Sequence, residues 1–247
     1  MIVSNAIRLS ALLALVPLAA RAGPLLSGVL APQVMVASDY RYDGVSESAE
    51  RPVIQGSLYW WRPDRTYAGI FLTQVDFRDP GKTSYEVDYY VGHHFQLKGT
   101  EVTPEVMYTA FPDNRTWGPT YDFWQVKLKA RRKAGKLAYQ GEVSWEPEAS
   151  YRAGVNWRLA GLAEYQLTPR LALTAKLGEV WTHRGADRLF YEVGGKVSGK
   201  TAALELKYMG TDVPPAECGY LRNDWCSPAV VGVVTFNLPY IPVRRGP

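Results

Sequence analysis

The sequence predicts an all-β fold: a transmembrane antiparallel up-and-down β-barrel of about 12 strands, with short periplasmic turns and longer extracellular loops. Three observations predict it. The N-terminus is typical of an export signal, apolar and polar residues alternate with period 2 along most of the chain, and short connections alternate with long ones.

The export signal comes first in the chain. Arg8 supplies a positive charge, Leu9 to Ala20 forms an apolar run, and Ala20-Arg21-Ala22 fits a cleavage site. A short membrane anchor is the alternative, but the run is too short to cross a bilayer as a helix. We therefore expect residues 1–22 to be a cleaved signal peptide, residues 23–238 to form the barrel, and residues 239–247 to form a short C-terminal tail.

After the export signal, apolar and polar residues alternate in the way that is typical of strands. Trp124, Val126 and Leu128, for example, alternate with Gln125 and Lys127. Runs of this kind last about ten residues, the length of a tilted strand that crosses a bilayer. Division at the turn signals predicts strands near 33–43, 52–62, 66–78, 85–95, 100–111, 120–132, 136–146, 151–166, 170–182, 189–198, 201–210 and 228–238.

The connections predict a closed membrane barrel. Tight turns, such as Pro63-Asp64-Arg65, alternate with longer polar segments, such as residues 44–51, which places both ends of the barrel on the short-turn side. Lipid offers no hydrogen-bond partners, so only a barrel without free edges can cross it. A soluble barrel is the alternative, but its interior would be apolar, whereas the polar positions here are densely charged.

Aromatic residues cluster at the predicted strand ends. Such clusters are typical of the interfacial girdles of membrane barrels. The residues are Tyr59, Trp60, Trp61, Phe77, Phe95, Trp145, Tyr151, Tyr165, Trp181 and Tyr208.

The charged positions of the alternation predict the lumen lining. Rings of charge set the ion preference of a pore, whereas opposite charges that pair can plug a narrow barrel, and the sequence leaves both readings open. Because both signs are present, we expect weak selectivity at most. The predicted lining residues are Glu86, Asp88, Glu105, Lys127, Lys129, Glu142, Arg152, Arg158, Glu164, Lys176, Glu192, Lys196, Glu205 and Lys207.

Two groups could suggest a metal site, but we predict no metal, no cofactor and no catalytic residue. His93 and His94 are adjacent on a strand, so they point to opposite faces. Asp39, Asp43 and Glu47 lack the spacing of a calcium loop, and we expect them at a solvated loop mouth. No G-x-S-x-G motif is present, which leaves a membrane-embedded hydrolase as the least favoured alternative.

Cys218 and Cys226 lie in the longest predicted loop, on the outer side of an oxidising compartment. We expect a disulfide that makes this loop rigid, with free thiols or metal ligands as the alternatives.

Motifs at both ends resemble the TorF family, an uncharacterised porin family of proteobacterial outer-membrane proteins. The resemblance rests mainly on Ala37-Ser38-Asp39-Tyr40-Arg41, on Gly44-Val45-Ser46, and on Gly210-Thr211-Asp212 before Cys218 and Cys226. It implies an outer-membrane barrel with a channel role and brings no catalytic residues. Family members commonly end at an aromatic residue, whereas Pro239 to Pro247 adds a basic tail here, which bears on assembly.

Together these observations predict a protein of the Gram-negative outer membrane that allows passive diffusion of small solutes or ions. The alternative is a non-conducting barrel that acts in adhesion or envelope structure through its loops. The expected partners are outer-membrane lipid, small solutes or ions, and the barrel-assembly machinery. The net charge of +4, without a long basic run, gives no sign of nucleic-acid binding. The sequence leaves the oligomeric state open.

Overall fold

The computed structural model describes residues 27–115, 121–150, 153–218 and 224–243. The predicted signal peptide lies outside these residues. The strands are β1 (Gly28–Ala37), β2 (Arg41–Tyr42), β3 (Val45–Ser46), β4 (Val53–Trp61), β5 (Thr66–Gln74), β6 (Tyr85–His93), β7 (Phe95–Leu97), β8 (Thr100–Ala110), β9 (Phe123–Ala134), β10 (Leu137–Glu146), β11 (Asn156–Gln166), β12 (Leu171–Thr182), β13 (Arg188–Ser198), β14 (Ala202–Thr211), β15 (Ala229–Asn237) and β16 (Ile241–Val243). Two short 3₁₀ turns span Pro215–Glu217 and Asp224–Cys226.

Twelve of these strands form a closed antiparallel barrel, which confirms the predicted fold class. Each long strand pairs with its neighbour in the chain, and β15 pairs with β1 from Gln33 opposite Asn237 to Ala37 opposite Val233. The short strand β7 continues β6 beyond His94 and pairs with β8. Closure leaves the barrel wall without a free edge, as a strand protein in lipid requires.

The outer surface of the barrel is apolar. Leu128, Leu159, Leu177, Val193 and Leu206 are all exposed there, although such residues are usually buried in a water-soluble protein. An apolar outer wall of this extent is typical of barrels that cross a membrane. No helix within the described ranges is long and apolar enough to cross a membrane.

Aromatic side chains mark both rims of the outer surface. Trp145 and Trp157 lie next to each other near the long loops, with ring centroids 6.4 Å apart, and Tyr165 is exposed near the short turns. The girdle prediction was wrong for Tyr59, Trp61 and Phe77, which lie on the inner side. Successive strand residues face opposite ways, so Trp60 faces outward between Tyr59 and Trp61. Tyr151 lies outside the described residues.

The first strand differs from its predicted bounds of 33–43. It begins at Gly28 and ends at Ala37. Residues 38–52, which we call the inward loop, then leave the wall and fold into the barrel. Their short hairpin, β2 and β3, pairs only within itself, from Arg41 opposite Ser46 to Tyr42 opposite Val45.

The C-terminal end adds a short strand to the barrel seam. In the segment predicted as a tail, β16 pairs with the first residues of β1, from Gly28 opposite Val243 to Leu30 opposite Ile241. The same three residues pair on their other side with the end of β4 or pack against it, so β16 covers an edge of β1 that β15 does not reach.

Removal of residues 239–247 should therefore destabilise the barrel. The truncation would expose the backbone groups of Gly28 to Leu30 that now pair with β16, which costs roughly 1 kcal/mol per lost hydrogen bond. We expect the truncated barrel to unfold at a lower temperature than the full-length protein. The measurement is the temperature at which samples heated before gel electrophoresis lose the band of the compact, folded barrel. Removal of residues 244–247 alone leaves β16 in place and is the control. Equal stability of the two truncated proteins would contradict the assignment.

Candidate functional site

The inner wall of the barrel has an uncharged half and a charged half. Strands β15, β1, β4 and β5 carry no charged residue. Their inner positions hold small, amide or aromatic side chains, such as Gln55, which donates to Thr73 Oγ1 at 3.0 Å. The remaining strands carry the inner charges, so the two sides of the lumen differ in chemistry.

The charged half contains the residues that the sequence predicts for the lumen. Of the predicted lining residues, Arg152 lies outside the residues that the structure describes. Each of the others is buried or half-buried at an inner position of its strand. These are Glu86, Asp88, Glu105, Lys127, Lys129, Glu142, Arg158, Glu164, Lys176, Glu192, Lys196, Glu205 and Lys207. That they line an open pore stays a prediction.

Most of these charges are paired across neighbouring strands. Lys129 Nζ lies 2.7 Å from Glu105 Oε1 on β8, and Arg158 pairs with Glu142 on β10. On β14, Lys207 Nζ lies 3.5 Å from Glu192 Oε2 on β13 and 3.1 Å from Glu205 Oε2 on β14. Pairs of opposite sign partly cancel the charge along this part of the wall, and the weak selectivity expected from the sequence stays a prediction.

The inward loop crosses the lumen from the uncharged half to the charged half. Its hairpin turns at Asp43 and Gly44, both with positive φ (47° and 84°), as a two-residue Asp-Gly turn requires. Gly44 also lies against β14, because a Cβ there would be 2.3 Å from the carbonyl oxygen of Gly210. Only glycine fits both conditions.

An ion pair fixes the tip of the loop. Asp43 is 3% exposed, and its carboxylate accepts from Arg158 Nε and Nη2 on β11, each at 2.9 Å. Arg188 and Lys176 approach the same carboxylate to 3.9 and 4.0 Å. Since β11 lies on the far side of the barrel from β1, this pair ties the loop across the lumen.

The base of the loop is held by a buried arginine. Arg41 pairs with Asp39 at 2.5 Å and with Glu50 at 3.1 Å. It also donates to the carbonyl oxygens of Trp225 and Ser227 at 3.2 and 2.7 Å, which joins the loop to the segment before β15. Buried charges of this kind are stable only when paired and hydrogen-bonded.

The expectation of a solvated loop mouth at Asp39, Asp43 and Glu47 was wrong. Asp39 and Asp43 are buried, and Glu47 is half-buried. The carboxylate of Asp39 accepts from Ser46 Oγ at 2.6 Å and Ser48 Oγ at 2.8 Å, while Asp43 pairs with Arg158. These carboxylates are internal partners of the loop.

Two tyrosines attach the loop to the barrel wall between its base and its tip. Tyr40 Oη donates to Glu86 Oε1 on β6 at 2.9 Å, and Tyr42 Oη accepts from Gln125 Nε2 on β9 at 3.3 Å. Tyr40 and Tyr42 belong, with Phe71, Tyr90 and Phe111, to an aromatic lining that sequence reasoning missed. For Phe71 and Tyr90 the signal that could have found them was their inward position in the alternation of β5 and β6, whereas Tyr40 and Tyr42 belong to the inward loop, where strand alternation does not apply.

A disulfide covers the loop from outside. Cys218 and Cys226 are bonded and pack with Ala49 of the inward loop and with Trp225 in one small apolar cluster. The bond closes the last long loop on itself, and the packing of this cluster holds that loop against the inward loop.

Two cavities lie along the lumen, next to the inward loop and near the short turns. The larger, about 560 Å³, is lined by loop residues such as Tyr40 and by Asp88, Lys127 and Arg188 of the wall. The smaller, about 240 Å³, is lined by Tyr67, His94, Lys129 and other residues. Lys127 in the first lining and Lys129 in the second share Glu105 as a partner, so an ion-pair cluster lies between the cavities.

The two adjacent histidines contact different groups. His93 Nδ1 lies 2.9 Å from Thr66 Oγ1, whereas His94 Nδ1 lies 2.8 Å from Thr103 Oγ1. The ring of His94 stacks on Trp61 and Tyr67 inside the barrel. No group of three or more potential metal ligands occurs among the residues that the structure describes.

The fold is that of porin-type barrels. Solved structures with the same fold include the NanC porin (TM-score 0.57, 10% identity, covering 84% of this chain and 100% of that one). The KdgM porin has a TM-score of 0.55 at 6% identity and covers 85% of this chain and 99% of that one. An outer-membrane channel from Pseudomonas putida F1 has a TM-score of 0.50 at 14% identity and covers 86% and 96%. At these identities the likeness shows the fold alone.

The chain belongs to the family described as "Bacterial protein of unknown function (Gcw_chp)", whose model matches residues 22–235. The resemblance to the TorF family stays a prediction. No curated protein matches the chain.

Loss of the Asp43 charge should release the inward loop. In Asp43→Asn the amide cannot replace the paired carboxylate, which leaves Arg158 with Glu142 and weakens the tie across the lumen. We expect trypsin to cut after Arg41 at least several-fold faster than in the parent protein, as measured by mass spectrometry of the fragments.

Asp224→Asn is the matched control, because it removes an exposed carboxylate from the same rim. Equal cleavage after Arg41 in all three proteins would show that the Asp43 pair does not hold the loop.

The docking of the loop should depend on pH through Glu47. Burial raises the pKa of Glu47 from 4.5 to about 7; Asp88 and Asp43 add to the rise, whereas Arg188 and a hydrogen bond with Glu86 oppose it. A raised carboxyl pKa means that the docked loop favours the protonated form. The penalty on docking therefore begins above pH 4.5 and is complete above pH 7.

We expect amides of residues 38–52 to exchange hydrogen faster at pH 8 than at pH 6, after correction for the intrinsic rates. Glu47→Gln should flatten this difference. An unchanged pH dependence in the variant would assign the effect to another group.

Proposed function

We propose that this protein is an outer-membrane channel for passive diffusion of small solutes or ions, with its lumen narrowed by the inward loop. The single observation that carries the proposal is the loop itself, tied across a closed barrel that still contains two cavities beside its charged wall. A twelve-stranded barrel lies between filled eight-stranded barrels and open sixteen-stranded porins in width. At that width, one inserted hairpin is enough to restrict passage.

The lining of the narrow region favours the passage of small, polar solutes. Glu86 and Asp88 accept hydrogen bonds from Tyr40, Tyr90 and Thr109, so hydroxyl groups and carboxylates both face the larger cavity. Across from them, Arg158 and Arg188 approach the loop carboxylate Asp43. A solute that passes here replaces water along walls of both signs, and we therefore infer selection by size more than by charge.

Orientation and location are part of the proposal. The short turns face the periplasm and the long loops face outward, as in membrane barrels of this architecture. The disulfide between Cys218 and Cys226 on the long-loop side fits an oxidising compartment. The porin and channel names of the structural neighbours agree with this location.

Conductance of the refolded protein in planar bilayers tests the proposal. We expect small discrete steps from the parent protein and larger, noisier steps from Asp43→Asn, because a released loop widens the passage. Asp224→Asn should behave like the parent protein. Absence of conductance in all three proteins, each shown to be folded by its compact gel band, would support the alternative of a non-conducting barrel that acts through its loops.

A further inference from the structure

One hairpin at the short-turn rim carries an unusual concentration of positive charge. Residues 131–136 (Arg-Arg-Lys-Ala-Gly-Lys), which form the end of β9 and the turn before β10, contain Arg131, Arg132, Lys133 and Lys136 and no acidic residue. We call it the basic hairpin. All four cations are exposed, and within the described part of the chain none lies within 4.0 Å of a carboxylate.

Other short turns of the barrel carry their charge differently. Arg62, for example, pairs with Asp64 in the same turn at 3.1 Å. Lys98, Arg170 and Lys200 are single cations on separate turns. Among the residues of this rim that the structure describes, the basic hairpin thus brings together several cations without an ion-pair partner.

The basic hairpin begins where the lipid-facing wall ends. Arg132 continues the outward series of β9 after Val126 and Leu128. It lies opposite Tyr139 of β10 and Thr100 of β8, and Tyr139 is itself exposed on the outer surface. In a membrane barrel, a cation at the end of the apolar outer wall is suited to the level of the lipid headgroups.

The neighbouring outer surface is also suited to a lipid. Leu137 follows the hairpin on β10, opposite Tyr165 of β11, and Leu97 of β7 lies opposite Thr100, the β8 partner of Arg132. All three side chains are exposed, so an acyl chain can lie on apolar surface close to the cations. Arginine presents forked donors that match phosphate oxygens, and long basic side chains extend from an apolar surface to the charged interface.

We propose that the basic hairpin binds the phosphate of an anionic phospholipid in the leaflet at the short-turn rim. Arg132 contacts the phosphate from the outer face, while Lys133 at the end of β9 and Lys136 in the turn add positive charge at the rim. The hairpin fixes the depth and rotation of the barrel in the membrane at this point. This inference goes beyond the channel proposal, because it needs the barrel to be in lipid but does not need it to conduct.

Native mass spectrometry of the full barrel in micelles that contain phosphatidylglycerol or phosphatidylcholine tests the proposal. We expect the parent protein to retain phosphatidylglycerol in preference to phosphatidylcholine. The variant Arg132→Gln/Lys133→Gln/Lys136→Gln should retain about tenfold less phosphatidylglycerol than the parent protein and the same amount of phosphatidylcholine. The reason is that each cation near a charged membrane surface raises the affinity for anionic lipid several-fold.

The matched control is Lys98→Gln/Arg170→Gln/Lys200→Gln, which removes the same charge from other turns of the same rim. It should retain phosphatidylglycerol almost as the parent does. Equal loss in both triple variants would show a general charge effect and overturn the site. Equal retention of the two lipids by the parent protein would also overturn it.

A second measurement distinguishes a lipid from the anionic cell wall, which lies on the same side of the membrane. Sedimentation of the protein with purified peptidoglycan should be the same for the parent and for the basic-hairpin variant. Loss of sedimentation in that variant, without any lipid preference in the parent, would assign the surface to the wall polymer instead. A compact gel band confirms that each variant is folded, so neither outcome depends on misfolding.

Discussion

The constraint on which this structure depends is closure of the backbone hydrogen-bond network between the first strand and the last. In lipid every strand needs a partner on both sides, and the pairing of β15 and β16 with β1 supplies it at the seam. In a closed barrel, alternate residues of each strand face the lipid outside and the lumen inside. The outward set must be apolar, which leaves the inward set free to carry charge.

The inner charges explain why a loop folds into the lumen. Arg158, Lys176 and Arg188 lie close together on this side of the wall, and the carboxylate of Asp43 approaches all three. Asp43 reaches them from the tip of a rigid Asp-Gly hairpin. The loop is therefore part of the electrostatic balance of the wall, and its position follows from the charges it faces.

Much of this fold was predictable from sequence because period-2 alternation is strongest where one face meets lipid. β9 to β14 follow this rule, and their predicted and observed bounds differ by a few residues. The same rule failed at the first strand. Asp39, Tyr40, Arg41 and Tyr42 alternate like a strand, but they leave the wall after Ala37, and only the Asp43-Gly44 turn signals the change. The partner that fixes the loop, Arg158, is 115 residues away in the chain, beyond the reach of local patterns.

Sequence alternation also could not tell an occupied lumen from an open one. It places charges on the inner face but says nothing about which of them pair across strands or through a loop. The structure shows two arrangements: Glu105 is neutralised by Lys127 and Lys129 within the wall, whereas Arg158 is shared between Glu142 of the wall and Asp43 of the loop. The first arrangement is independent of the loop and the second is not. A movement of the inward loop therefore changes the width and the charge of the lumen at the same time, so any gating by this loop must alter both the conductance and the selectivity.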